Sequence, residues 1–117
     1  MTESSGYIGV ALDGTLAHYD GWKGPEHVGD PVPEMLSRVR RWLSEGFEVR
    51  IFTARVSPQP DHAHVLARAA IDQWVMTHIG KPLAVTCQRD VGMVELWDDR
   101  CVQVVTNRGQ RVDGCGG

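Results

Sequence analysis

Hydrophobic and polar positions follow two rhythms along the chain. Tyr7-Ile8-Gly9-Val10-Ala11-Leu12 is an apolar run closed by Asp13-Gly14, the pattern of a buried strand entering a turn. A polar loop occupies 17–30. From Asp30 to Gly46 the period lengthens: Met35, Leu36, Val39, Trp42 and Leu43 recur three or four apart, with prolines at the start and a glycine at the end, which predicts an amphipathic helix. Residues 47–55, FEVRIFTAR, alternate and then turn apolar, predicting a second strand. After the breaker SPQPD, Ala67, Ala70, Ile71, Trp74 and Val75 mark a second helix that stops at Gly80. PLAVTC, MVELW and CVQVV read as third, fourth and fifth strands, the last leading into a turn at Asn107-Arg108-Gly109. This order predicts an α/β, Rossmann-like fold: a mainly parallel sheet of about five strands with helices on both faces.

Composition narrows the picture. With 117 residues and 42% apolar content the chain is expected to form a single domain over 1–117, with a Gly-rich, disordered tail from about residue 112. Twelve basic and fifteen acidic residues give a net charge of −3 without any long like-charged block, so capture of duplex nucleic acid is not supported and a nucleotide-sized anion is compatible. The apolar runs fall short of the roughly 20 residues that a membrane span needs, and MTESSG has no signal pattern, so a cytoplasmic protein is expected. Cys87, Cys101 and Cys115 form no C-x-x-C pair; they read as reduced thiols rather than a disulfide framework or zinc site, with Cys87 and Cys101 in strands. A homo-oligomer remains open.

The position of the polar residues points to a function. Asp13, Thr53 with Arg55, and Asp98 with Asp99 each stand just past the carboxyl end of a predicted strand. In a parallel sheet those ends share one edge, where open α/β folds bind their ligands. Asp-Gly-Thr alone is ordinary turn chemistry, and Asp98-Asp99 alone a solvated turn. Three such segments in order carry more weight than any one of them.

ALDGTL, FTAR and WDDR, in this order and each at a strand end, resemble the motifs of the haloacid dehalogenase-like hydrolase superfamily, whose members are mostly magnesium-dependent phosphatases. The resemblance runs from Ile8 to about Gly109 and is to the small, capless type. The first motif of that family reads Asp-x-Asp-Gly-Thr, and here it reads Ala11-Leu12-Asp13-Gly14-Thr15. The resemblance implies a nucleophile at position 11 that forms an aspartyl-phosphate, and Asp13 as the acid and base that protonates the leaving oxygen and then activates water. It implies Mg²⁺ held by residue 11, the carbonyl of Asp13, and Asp98, with Asp99 behind Asp98 or capping the next turn. Thr53 would donate to a phosphoryl oxygen, with Ala54 and Arg55 beside it, Arg55 being open to a substrate contact or to a surface charge. Backbone N–H groups around Gly14 and Thr15 would face the same anion. The family's lysine has two candidates: Arg89, which follows the third strand and is preferred, and Lys81, which precedes it.

The loop over 17–30 is too short for a cap domain and would form a flap. It carries His18, Tyr19, Trp22, Lys23 and His27, so a ring and a cation are available to a base or sugar. His62 and His64 read as solvent histidines, and Trp42, Trp74 and Trp97 as core. Ala11 divides the functional expectation. The first reading is an aspartyl-phosphate phosphatase silenced by an Asp-to-Ala replacement, acting on a nucleotide or another small phosphorylated metabolite; it is favoured because Asp13, Thr53 and Asp98 all remain. The alternative is a non-catalytic protein that binds or sequesters a phosphorylated ligand or nucleotide signal.

Overall fold

All strands of the sheet run in the same direction. In the computed structural model, which describes residues 6–114, β1 (Tyr7–Ala11), β2 (Val49–Phe52), β3 (Val85–Thr86) and β4 (Met93–Trp97) form a four-stranded parallel sheet in the order β3-β2-β1-β4. Helix α1 (Pro33–Ser44) connects β1 to β2, and α2 (Ala63–His78) connects β2 to β3. Pro33 opens α1 at a position where a missing N–H costs nothing. Gly46 and Gly80 end the two helices at φ of 89° and 91°, a left-handed region that other residues adopt at a cost. Among the described residues no helix is long and apolar enough to cross a membrane.

Register fixes the core. Ile8 and Val10 pair with Val49 and Ile51, and Ile51 pairs with Val85, so these side chains share one face of the sheet. Met35, Val39 and Trp42 from α1 and Ile71, Trp74 and Val75 from α2 close over that face in a single cluster. Trp42 meets Trp97 edge to face, ring centroids 5.1 Å apart, so the expected core placement of the tryptophans holds, with Trp97 only partly covered.

Two parts of the expected architecture need correction. The helices do not cover both faces; both lie on the Ile8–Val10 side. The steps β1 to β2 and β2 to β3 go the same way across the sheet, and right-handed crossovers stepping the same way put their helices on the same side. The return from β3 to β4 is too short to hold a third helix. The other face is covered by its own side chains. Met93 lies across Gly9, where a Cβ would come within 2.8 Å of its terminal methyl. The Arg50 guanidinium stands 3.8 Å from the centroid of the Tyr7 ring, and the Tyr7 hydroxyl donates to Asp90 Oδ1 at 2.9 Å.

The second correction is the fifth strand. Residues 101–105 do not join the sheet; the chain reverses around Asn107 and Gly109, both at positive φ, and pairs with its own continuation. Val105 N–H donates to Gln110 O at 2.7 Å, Val112 N–H to Gln103 O at 2.9 Å, and Val104 bridges Arg111. This hairpin has every residue from 101 to 110 exposed, so its alternating valines have no core to face. Cys87 accordingly lies just beyond β3 and Cys101 in an irregular, exposed segment rather than in strands; Cys115 lies outside the described residues. Of the tail expected to be disordered, residues 112–114 form a turn after the hairpin, and 115–117 lie outside the described residues.

Candidate functional site

The carboxyl ends of β1, β2 and β4 open onto a cavity of about 770 Å³. Ala11, Asp13, Thr53, Ala54, Arg55, Asp98 and Asp99 line it, so residues far apart in sequence meet as expected from their strand-end positions. Ala11, 6% exposed, is the last residue of β1 and presents only a methyl group at the place where the resemblance implies a carboxylate.

Past β1 the chain folds into a tight turn. Leu12 N–H still reaches Phe52 O across the sheet edge, while Ala17 and Leu16 N–H groups fold back onto Leu12 O at 2.8 and 3.0 Å. Gly14 sits at φ 84°, a conformation other residues adopt at a cost, and a Cβ there would come within 2.5 Å of Asp99 Oδ2 and push aside the carboxyl that Thr15 holds. Thr15 stitches them together: its hydroxyl donates to Asp99 Oδ1 at 3.0 Å and accepts from Asp99 N–H at 3.1 Å. The amides of Gly14 and Thr15 donate to Ala17 O and Leu12 O within the turn and so do not face an anion. Both residues line a neighbouring shallow groove with Asp98 and Asp99 rather than the main cavity. The amides of Asp13 and Ala54, which do line it, have no acceptor among the described residues.

Thr53 is buried, its N–H tied to Thr86 O at 2.9 Å, and its Oγ1 accepts from Arg55 N–H at 3.2 Å to cap the 3-10 turn Ala54–Val56. Its hydroxyl proton stays available to a ligand. The cap also starts the path that returns Arg55 to the site. Arg55 Nε and Nη2 donate to Asp13 Oδ2 and Oδ1 at 2.8 and 2.9 Å, a bidentate pair whose Arg side chain is 6% exposed. Arg55 Nη1 reaches the carbonyls of Gly24 and Pro25, both at 3.3 Å, and the guanidinium lies 4.8 Å from the centroid of the Trp22 ring. The open choice at Arg55 thus resolves into neither a surface charge nor a free anion ligand; it ties the flap to Asp13.

The flap is closed at its neck. His18 N–H donates to Asp30 O at 2.7 Å, Val32 N–H to Leu16 O at 2.8 Å, and Ala17 bridges Pro31. Trp74 of α2 holds the neck from below through its indole N–H to Gly29 O at 2.8 Å. At the tip, Lys23 donates to Asp20 at 2.9 Å and holds that exposed carboxyl below its ordinary value through this hydrogen bond and its charge.

Neither cation named for the lysine role lines the cavity. Lys81 follows α2, before β3 and so at the opposite edge of the sheet, and Arg89 is exposed in the loop after β3. The unpaired cation of the cavity among the described residues is Arg100, directly after the WDD of the third motif. Its place in WDDR was the available signal. Tyr19, Trp22, Gln59 and Asp61 also line the cavity; Gln59 and Asp61 have no distinctive sequence pattern. His64 is not a purely solvent side chain, since its Nδ1 accepts from Gln59 N–H at 3.0 Å.

The side chains fit Mg²⁺ only in a limited sense. Asp98 lines the cavity with one oxygen taken by Arg100 N–H at 2.9 Å, both oxygens of Asp13 are held by Arg55, and position 11 has no donor. Mg²⁺ is commonly held by one or two carboxylates together with phosphate oxygens and water. Asp98 supplies one such carboxylate, so the ion fits as a partner of a bound phosphate. No known protein family, curated protein or solved structure matches the chain.

Proposed function

We propose that the cavity binds the phosphate of a small phosphomonoester, and that the chain is a capless haloacid dehalogenase-like phosphatase silenced at Ala11. The observation that carries this reading is the convergence of Ala11, Asp13, Thr53 and Asp98, from the ends of three parallel strands, on one cavity. The Asp13 and Ala54 amides, the Thr53 hydroxyl and the Arg100 guanidinium supply donors for phosphoryl oxygens. Asp98 would hold Mg²⁺, which offsets the negative charge of the phosphate against the carboxylates around it.

With a carboxylate at position 11, its oxygen would attack phosphorus while the ester P–O bond breaks and Asp13, protonated and released from Arg55, gives its proton to the leaving oxygen. Water, losing its proton to Asp13, would then release phosphate and restore the carboxylate. Ala11 has no oxygen for the first step, so the chain binds without turnover. The test is Ala11→Asp assayed with phosphomonoesters and Mg²⁺. This variant should release inorganic phosphate at a rate several orders of magnitude above the parent chain, and lose that activity with EDTA. Tight phosphoester binding by the parent chain with no activity in the variant favours a dedicated binding protein. The engagement of both Asp13 oxygens by Arg55 suits that second reading.

A further inference from the structure

The cavity is much larger than a phosphate needs. Its volume of about 770 Å³ lies within the range of ~300–1,000 Å³ for sites that enclose a drug-sized ligand. Its outer wall is aromatic: Trp22 is 60% exposed and Tyr19 46%. Two exposed rings on the wall of one cavity offer flat apolar surface to a ligand inside it.

Trp22 is also held in place. Arg55 lies over its ring and is fixed in turn by two bonds to Asp13 and two to flap carbonyls. The indole is therefore tied to the acid of the phosphate end and offers its uncovered surface to the same cavity. In the same cavity, Gln59 donates its Nε2 to Ser57 O and keeps its carbonyl oxygen open, and Asp61 uses Oδ1 on Ala63 N–H and keeps Oδ2 open. Both are acceptors, suited to the amino and N–H edges of a nucleobase.

We propose that Trp22 is a stacking platform for a base and that the ligand class is a nucleoside monophosphate. The phosphate end rests on the reading above; the platform rests on Trp22, Arg55 and the cavity's size. Arg55 acts here as a positioning residue, holding the indole between guanidinium and base.

Calorimetric titration of the parent chain with the four nucleoside 5′-monophosphates, the four nucleosides and ribose 5-phosphate, all with Mg²⁺, tests this. At least one nucleotide should bind about tenfold more tightly than ribose 5-phosphate. Trp22→Ala should remove that gap, whereas Trp22→Phe should keep most of it. Equal binding of nucleotides and ribose 5-phosphate, or a gap that survives Trp22→Ala, overturns the platform and leaves the phosphate reading standing. Trp22-dependent binding of a nucleoside without any binding of ribose 5-phosphate sustains the platform and overturns the phosphate end. No binding of any compound overturns both.

Discussion

Every nitrogen of the Arg55 guanidinium is engaged, Nε and Nη2 by Asp13 and Nη1 by the flap. Arg55→Ala leaves the Asp13 carboxylate without its fork and Trp22 without its support, at an expected cost of about 2 kcal/mol in urea unfolding. Arg55→Lys should recover little, because an ammonium cannot span both oxygens. A loss below a few tenths of a kcal/mol would show that the pair is solvated and does not order the flap. The meeting of Asp13, Thr53 and Asp98 at one cavity was legible because residue type and strand-end position are both written locally. The Arg55–Asp13 pairing was not, since its partners stand 42 residues apart and nothing in either segment names the other. Arg89 failed for a related reason: sequence shows that a cation follows a strand, not which way the loop carries it.

At the level of elements, both helices were readable from apolar spacing and from Gly46 and Gly80, because a helix is specified by its own residues and ends. The valines of 101–105 misled because alternation marks a strand only where a sheet edge receives it. Residues 103–112 instead form an exposed hairpin whose backbone bonds stay within the segment. Truncation after Cys101 is therefore expected to keep the parent's Tm within a few degrees and its circular dichroism nearly unchanged. A collapse of the thermal transition on truncation would mean that the hairpin packs on the sheet. Cutting after Cys101 keeps Arg100, so the proposed phosphoester binding can be assayed in the same sample.

For the whole molecule, strand order decides where helices can go, and the sequence carries no direct sign of that order. A fold with both helices on one face leaves Tyr7 and Met93 to cover the other. Burial, and then the hydrogen bond to Asp90, push the Tyr7 phenol above its ordinary value near 10. The neutral phenol is thus favoured in the folded state: its contribution is complete below about pH 10 and is lost as pH rises through the raised value. Thermal melts from pH 8 to 11 should show the parent losing stability over the alkaline range more steeply than Tyr7→Phe. Equal slopes would place the phenol in water. The flap's neck has a different consequence. Since His18 and Asp30 are bonded to each other beneath it, the loop above them can change in length at small entropic cost so long as Trp22, Gly24 and Pro25 still meet Arg55, which holds Asp13. The neck thus makes the flap a cassette closed on itself, whose fixed demand on the cavity is its hold on Arg55.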